Sequence, residues 1–120
     1  MHKFDENIKK ILETPYGHLP KLKAELEKYP EEYRKLLGIR ASWLKWQRVI
    51  ESRQGEELTC GICAYMTLLN VSSAYFYNCD KCFAKYPCQQ KQNGEISNQE
   101  AFQIVHCMYM AEHRRLFGDV

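Results

Sequence analysis

The sequence lacks an apolar run long enough to cross a membrane, and it lacks a strong excess of charge of either sign. Its longest apolar run, ICAYMTLL, is far shorter than the roughly 20 residues that a membrane-spanning helix needs. Residues 1–59 carry 12 Lys and Arg against 10 Asp and Glu, and residues 60–120 carry 5 against 5. Because nucleic-acid-binding proteins usually concentrate basic charge on one face, this balance does not by itself indicate a polyanionic partner.

The amino-terminal stretch MHKFDENIKK also lacks the apolar core of a secretory signal peptide. We therefore expect a cytoplasmic protein with no membrane partner. The chain has six cysteines, and in a reducing compartment cysteines seldom build a disulfide framework. Metal binding, redox chemistry and core packing remain as roles for these thiols.

Motifs that mark common enzyme sites are missing as well. The sequence contains no GxGxxG, P-loop or HExxH motif. No His-x-Glu precedes a Pro-Cys-x-x-Cys, which is the arrangement typical of zinc deaminases. The length of 120 residues and the hydrophobic content of 45% are typical of one globular domain. We therefore expect a protein that is not an enzyme and that has no small-molecule substrate.

Short amphipathic helices are predicted along the first half of the chain from the 3.6-residue spacing of its apolar residues. Asp5 is a candidate N-cap for the first of these helices. Pro20 is a favoured first-turn residue and predicts the start of the second. A third helix, EEYRKLL, follows Pro30 and is expected to stop at Gly38, because glycine readily forms the left-handed cap that ends many helices.

The stretch RASWLKWQRVIESR, residues 40–53, is the strongest helix prediction in this half. Its large apolar residues share one face: Trp43, Trp46, Val49 and Ile50. Lys45 and Arg48 are expected to point away from that face. Aromatic residues along one face of a helix are more often buried in a core than used to bind a partner. We therefore interpret the stretch as a helix whose apolar face packs against the core and whose basic residues face solvent.

Residues 55–97 show no sustained helical period, although they are rich in Tyr and Phe. A segment of this kind has little regular structure through which to bury itself, so it is predicted to need an external constraint. Residues 97–117, by contrast, are a clear helix prediction. Ser97 and Glu100 form a capping-box pair at its start.

The cysteines supply a constraint for the aperiodic segment. Cys60-x2-Cys63 is separated by fifteen residues from Cys79-x2-Cys82, which is the spacing of a tetrathiolate zinc site. Two such knuckles complete a tetrahedron of sulfurs at about 2.3 Å from the metal. Zinc binding contributes roughly 10–16 kcal/mol in zinc-finger peptides, which exceeds the stability of many domains. The pattern predicts a structural Zn²⁺ that acts as the core of the segment.

The ligand set has alternatives. Cys88 or Cys107 could replace one of the knuckle thiols, although buried inert cysteine is common. A redox Cys-x-x-Cys normally follows a strand, whereas CGIC follows a polar loop. Iron–sulfur ligation usually shows denser cysteine runs. His106 and His113 share a helix face, and we interpret them as exposed or packed rather than as a second metal site. Four cysteine ligands would leave no open position for catalysis.

The order of these elements resembles a group of small cysteine-rich proteins that recur in bacteriophage genomes. The matching elements are the pair Cys60/Cys63, the pair Cys79/Cys82, Cys88 and the closing helix 97–117. In that group a proline usually follows the second pair directly, whereas this chain has Phe83 there and delays its proline to Pro87. The resemblance implies a zinc-bound, virus-encoded small protein in the cytoplasm of a host cell, without a defined activity.

We therefore predict a mainly α fold. Residues 1–54 form its helical part, residues 55–97 form an inserted zinc-knuckle or zinc-ribbon-like module, and residues 98–120 form a closing helix that packs back, all within one domain. The predicted function is that of a zinc-stabilised interaction protein with a protein partner. The resemblance implies a host or defence protein as that partner. The sequence does not determine the oligomeric state.

The alternative function is that of a zinc-containing nucleic-acid-binding protein. In this hypothesis lysines contact phosphates while aromatic rings stack on bases. The residues involved would be Lys81, Lys85 and Lys91 with Tyr77, Phe83 and Tyr86, extended by Arg40, Lys45, Arg48 and Arg53. Scattered lysines that merely solvate a loop are the competing interpretation.

Overall fold

The computed structural model describes residues 2–14, 17–52, 61–68 and 85–118. Within these ranges the protein is mainly α-helical and contains no strand, so the predicted mainly α class is confirmed. The helices are α1 (His2–Glu13), α2 (His18–Glu27), α3 (Arg34–Ser52), α4 (Gly61–Leu68), α5 (Lys85–Gln92) and α6 (Asn98–Phe117), and a 3-10 turn (Glu31–Tyr33) leads into α3. Much of the predicted zinc module, residues 55–60 and 69–84, lies outside the described residues.

Helix α3 is the central element of the fold. It contacts α1, α2, α4 and α6, most extensively α6 and α4. One core cluster joins α1, α2, α3 and α4, and consists of Phe4, Ile8, Leu12, Leu22, Leu26, Leu37, Ala41, Leu44 and Ala64. A second cluster joins α3, α4 and α6, and consists of Leu36, Ile39, Ile62, Met66, Val105 and Tyr109. Helices α3 and α4 therefore contribute to both cores and separate them.

The prediction that Gly38 ends a helix is wrong, because α3 runs through it without interruption. Gly38 lies where α4 crosses α3. A Cβ at this position would lie 3.0 Å from the carbonyl oxygen of Gly61 and 2.9 Å from the Cβ of Tyr65. Glycine is therefore present because of a close approach of two backbones, and not because the chain turns there.

Asp5 does not act as an N-cap, because α1 already begins at His2. Its carboxylate instead accepts two hydrogen bonds from Arg40 on α3, from Nε at 3.1 Å and from Nη2 at 2.6 Å. This bidentate pair ties α1 to α3. Helix α2 begins at His18, two residues before the predicted start at Pro20, and Pro20 remains in its first turn.

Two helices lie inside the segment expected to lack helical structure, so that prediction is wrong for residues 61–68 and 85–92. Helix α4, GICAYMTL, packs against both α2 and α3. A helix that is buried on two sides has apolar residues around its whole circumference. It has no polar face, so the alternation of polar and apolar residues that identifies a helix in a sequence is missing. Helix α5, KYPCQQKQ, is only eight residues long and mostly polar, with Pro87 tolerated in its first turn.

Helix α6 agrees closely with its prediction. The capping box is confirmed: the Glu100 backbone N–H donates to Ser97 Oγ at 3.1 Å, and the Ser97 N–H donates to Glu100 Oε1 at 3.0 Å. This hydrogen bond from the Ser97 backbone lowers the pKa of the Glu100 carboxyl. Among the helices that the structure describes, none has both the length and the hydrophobicity required to cross a membrane.

Candidate metal centre

The first cysteine pair lies at the amino-terminal end of α4. Cys63 is the third residue of that helix and is half-buried, and Cys60 immediately precedes its first residue in the sequence, just outside the described residues. The two residues between the cysteines, Gly61 and Ile62, are both buried. The structure therefore places the two residues that separate the cysteines at the buried start of α4.

Two contacts hold that turn against α3. The backbone of Gly61 packs directly on Gly38, where a Cβ on Gly61 would collide with the Gly38 carbonyl oxygen and with the side chain of Ala41. The backbone N–H of Ile62 donates to Ser42 Oγ at 3.0 Å, and both groups are buried. The first N–H groups of a helix have no partner within the helix, so Ser42 satisfies a donor that would otherwise be buried unpaired. Nothing in the sequence pattern singled out Ser42.

The second cysteine pair, Cys79 and Cys82, lies outside the described residues. In the sequence, Cys82 stands three residues before Lys85, the first residue of α5. Cys63 therefore lies in the first turn of α4, and Cys82 precedes α5 by three residues in the sequence. The partial positive charge at a helix amino terminus favours the thiolate form of a nearby cysteine, and thiolate is the form that binds zinc.

Cys88 and Cys107, the two alternative ligands, are both exposed. The Gln92 side chain on α5 donates to the Cys88 sulfur at 3.6 Å. Cys107 lies on the outer side of α6, because Val105 and Tyr109 form the buried side of the same helix. Within the part of the chain that the structure describes, neither belongs to a group of three or more metal-ligating residues. Burial in a core, the role expected for both thiols, is not observed for either one.

His106 and His113 pack against aromatic rings. The His106 ring meets Trp43 edge-on, with 5.0 Å between ring centroids, and the His113 ring lies 4.8 Å from Phe117. Tyr109 stands between them and contacts both Trp43 and His113. The two histidines thus belong to a row of ring contacts along α6, which agrees with the second of the two expected roles, exposed or packed.

The prediction that Lys45 points away from the core is wrong. Its side chain is buried, with 6% of the residue exposed, and its Nζ lies 4.5 Å from the centroid of the Trp46 ring. The reason is the central position of α3, which has packed neighbours on several sides and so no wholly solvated back. Arg40 is also engaged, with Asp5 and with the Trp43 ring 4.0 Å from its guanidinium carbon.

These positions bear on the nucleic-acid alternative. Arg40 and Lys45 would have to leave their intramolecular contacts in order to bind phosphate, while Arg48 and Lys91 are half-buried. The remaining residues of that hypothesis lie outside the description: Arg53, Tyr77, Lys81 and Phe83, together with the side chains of Lys85 and Tyr86. Among the basic residues of that hypothesis that the structure describes, Arg40 and Lys45 are thus already engaged within the protein.

A buried carboxylate on α6 was not identified from the sequence. Glu112 is 4% exposed, and its two oxygens accept hydrogen bonds from Arg115 Nε at 2.9 Å and from Arg115 Nη2 at 2.6 Å. Lys35 of α3 lies 3.9 Å away. The hydrogen bonds from Arg115 hold the pKa of the Glu112 carboxyl below its ordinary value, against the effect of its burial. The i, i+3 spacing of Glu112 and Arg115 was the available signal.

Comparison of the chain with models of protein families, with curated proteins and with solved structures finds no match.

Proposed function

We propose that this chain is a non-enzymatic interaction protein stabilised by one structural Zn²⁺, with Cys60, Cys63, Cys79 and Cys82 as the ligands. The observation that carries the proposal is the fixed position of the turn between Cys60 and Cys63. The residues between those cysteines are packed on Gly38 and hydrogen-bonded to Ser42. Because these residues form the start of α4, Cys63 has a fixed position relative to α3 before any metal binds.

The helical framework supports a structural role for the metal. Helices α4 and α5 have eight residues each, and helices of this length are marginal on their own in water. A zinc ion that joins the cysteines at their amino-terminal ends would connect two short helices and link α5 to α3 through α4. Four thiolate ligands close the coordination sphere, so the proposal includes no metal-bound water and no catalysis.

The interaction surface in this proposal is the outer side of α6. Met110 and Phe117 are 46% and 48% exposed, the large hydrophobic residues with most exposure among those described. They are seven residues apart and so share one side of the helix. Phe117 stacks on Tyr33 with 5.9 Å between ring centroids, which adds a second aromatic ring to the surface. Aromatic residues often anchor protein interfaces. The bacteriophage resemblance suggests a host or defence protein as the partner.

Metal analysis of the full-length protein, purified with reduced thiols, tests the zinc part of the proposal. We expect one Zn²⁺ per chain, and we expect its loss in Cys60→Ser and Cys63→Ser. Cys107→Ser is the matched control and should retain the metal, because Cys107 is exposed on the outer side of α6. A metal-free protein that unfolds cooperatively at the same temperature with and without chelator would refute it.

The interaction part needs a separate experiment. We expect Phe117→Ser and Met110→Ser to reduce capture of a protein partner from a host lysate while leaving zinc content and helicity unchanged. Lys21→Ser, at an exposed position on α2 and outside this surface, is the control. Retained partner capture by both variants would exclude this surface. Tight binding to nucleic acid that weakens steeply with salt, without a protein partner, would favour the nucleic-acid alternative instead.

A further inference from the structure

A cleft runs between the carboxy-terminal halves of α1 and α3. Its volume is about 270 Å³, and the buried residues Leu12 and Leu44 contribute its apolar surface. The described residues that line it all belong to these two helices, so the cleft shares none of them with the candidate metal centre or with the outer side of α6. The proposed zinc and partner sites therefore leave this feature unused.

Four charged side chains line the cleft, one of each sign from each helix. Lys9 and Glu13 come from α1, and Arg48 and Glu51 come from α3, so their formal charges cancel. In the part of the chain that the structure describes, no salt bridge or hydrogen bond engages any of these four side chains. Charges of both signs therefore border the cleft without neutralising one another in pairs, and both signs are available to a ligand.

Arg48 carries the strongest sign of a missing partner. Its Nε is shielded from solvent and has no hydrogen-bond acceptor. A buried donor without an acceptor is uncommon in proteins and destabilises them. A carboxylate is the matching acceptor, because a guanidinium binds it through two parallel N–H···O hydrogen bonds. A rotation of the Arg48 side chain into the cleft would bring Nε to one oxygen of such a ligand.

The two carboxylates of the cleft restrict the charge of that ligand. An anion without a positive group would be attracted by Lys9 and Arg48 but repelled by Glu13 and Glu51, and a phosphate with two negative charges would be repelled more strongly. A ligand that has an ammonium group beside its carboxylate interacts favourably with charges of both signs. An α-amino acid has these two groups on one carbon atom.

The apolar surface and the volume restrict the side chain of the ligand. Leu12 and Leu44 favour an aliphatic group, because its contact with them removes apolar surface from water. An engineered cavity of about 150 Å³ binds benzene, so a cleft of about 270 Å³ admits a larger molecule, of the size of leucine. A charged ligand side chain would upset the balance of charge that the four lining residues provide.

We propose that this cleft binds a free aliphatic α-amino acid. Its carboxylate lies at Arg48 and Lys9, its ammonium group at Glu13 and Glu51, and its side chain against the two leucines. The site binds its ligand reversibly and involves no chemical conversion. It requires neither the proposed zinc ion nor a partner on α6.

Calorimetric titration of the full-length protein with L-leucine tests the proposal. Three matched ligands lack one group each: isopentylamine has no carboxylate, isocaproate has no ammonium group, and glycine has no aliphatic side chain. We expect leucine to bind saturably. We expect each of the other three to bind at least about tenfold more weakly, because each leaves one part of the site without its partner.

Two variants test the charged groups. Arg48→Met keeps an aliphatic chain but removes the guanidinium, and we expect it to weaken leucine binding about tenfold. Glu13→Gln should weaken leucine binding and strengthen isocaproate binding, because it removes one attraction for the ammonium group and one repulsion of the carboxylate. Unfolding of the variant cannot produce these opposite changes. Lys10→Met is the control: Lys10 is exposed on α1 beside Lys9 but does not line the cleft, and the variant should bind leucine as the unmodified protein does.

Three results would overturn the inference. The first is an absence of leucine binding at concentrations of about 10 mM. The second is binding of isopentylamine or isocaproate as tight as that of leucine, which would indicate adsorption through one group alone. The third is unchanged leucine binding in both Arg48→Met and Glu13→Gln. Zinc content and partner capture are measured separately, so the failure of this inference is distinguishable from the failure of the proposed function.

Discussion

Gly38 in the middle of α3 and Gly61 at the start of α4 meet backbone against backbone. A Cβ at Gly38 would lie 3.0 Å from the Gly61 carbonyl oxygen, closer than nearly all such contacts in proteins. Because Gly61 stands two residues before Cys63 on α4, this contact determines how closely the part of α4 that carries Cys63 approaches the central helix. It links the core of the protein to its candidate metal centre.

We predict that Gly38→Ala and Gly61→Ala each lower the free energy of unfolding by about 1–3 kcal/mol, the usual effect of overpacking a tight contact. Alanine favours helix formation by up to about 1 kcal/mol over glycine, so a loss of stability would identify the contact as the cause. Urea unfolding measures the effect. Ala24→Gln, at an exposed position on α2, is the control for added side-chain atoms. A gain in stability in Gly38→Ala would show that the helices do not approach so closely.

Ser42→Ala should also destabilise the protein. The substitution removes the acceptor of the buried Ile62 N–H, and a buried donor left without a partner costs about 1–3 kcal/mol. If the turn presents Cys60 and Cys63 to zinc, Ser42→Ala should also lose zinc faster to a competing chelator. Ser52→Ala is the matched control: it removes a serine hydroxyl that bonds to Arg48 on the exposed end of the same helix. Similar effects of the two substitutions would contradict the role assigned to Ser42.

The pair Asp5–Arg40 should show a measurable coupling energy. Its side chains are 19% and 17% exposed and make two hydrogen bonds, so solvent screens the pair less than a surface ion pair. A double-mutant cycle with Asp5→Ala and Arg40→Ala isolates the interaction, and we expect a coupling of about 1–3 kcal/mol. Arg40 also contacts the Trp43 ring, so Arg40→Ala alone should be more destabilising than Asp5→Ala alone. A coupling near zero would show that the pair adds no net stability.

Helix α6 shows which parts of this fold can be predicted from sequence alone. Its start depends on two hydrogen bonds between residues three apart, Ser97 and Glu100. Its buried residues Ala101, Val105 and Tyr109 lie along one side of the helix, and α3 is the neighbour that α6 contacts most extensively. The capping box and the apolar side of the helix both depend on residues within one short stretch of sequence. They can therefore be predicted from the pattern of that stretch.

Gly38 and Lys45 show why other parts could not be predicted. The role of Gly38 depends on Gly61, 23 positions away, and the burial of Lys45 depends on the helices that surround α3. No pattern within α3 contains that information. The candidate metal centre differs from these two residues, because it was inferred from the spacing of cysteines that are close together in the sequence. The structure adds what spacing could not show, namely that Gly38 packs on Gly61 and that Ser42 accepts a hydrogen bond from Ile62, the two residues before Cys63.

The pH dependence of stability should include a contribution from Glu112. Arg115 holds the pKa of this carboxyl below its ordinary value of 4.5 in the folded state. A carboxyl with a depressed pKa stabilises the fold above its unfolded-state pKa, and that stabilisation is lost as the pH falls through the folded-state value. We therefore expect Glu112→Gln to flatten the loss of stability below about pH 4.5.

A partner substitution provides the control for that experiment. Arg115→Met removes the hydrogen bonds that depress the pKa of Glu112, so it should reduce the same slope even though Glu112 is retained. Chemical unfolding between pH 3 and pH 7 measures both variants. An unchanged slope in both would show that Glu112 does not titrate differently in the folded and unfolded states.

Thiol reactivity should separate the six cysteines into two classes. Cys88 and Cys107 are exposed, and we expect these two to react rapidly with a thiol reagent while zinc is bound. The other four should react only after chelation, because a thiolate bound to zinc is a poorer nucleophile and is less accessible. Mass spectrometry of the labelled peptides identifies which cysteines belong to each class.

The identity of the protected cysteines determines the ligand set. Protection of Cys88 together with rapid labelling of one knuckle cysteine would mean that Cys88 replaces that residue as a ligand. Cys88→Ser is the decisive variant: we expect it to retain zinc with one fewer reactive thiol before chelation. Loss of zinc from Cys88→Ser, with Cys107→Ser unaffected, would place α5 itself in the coordination sphere. Rapid labelling of all six cysteines in the native protein would exclude a metal centre built from the two pairs.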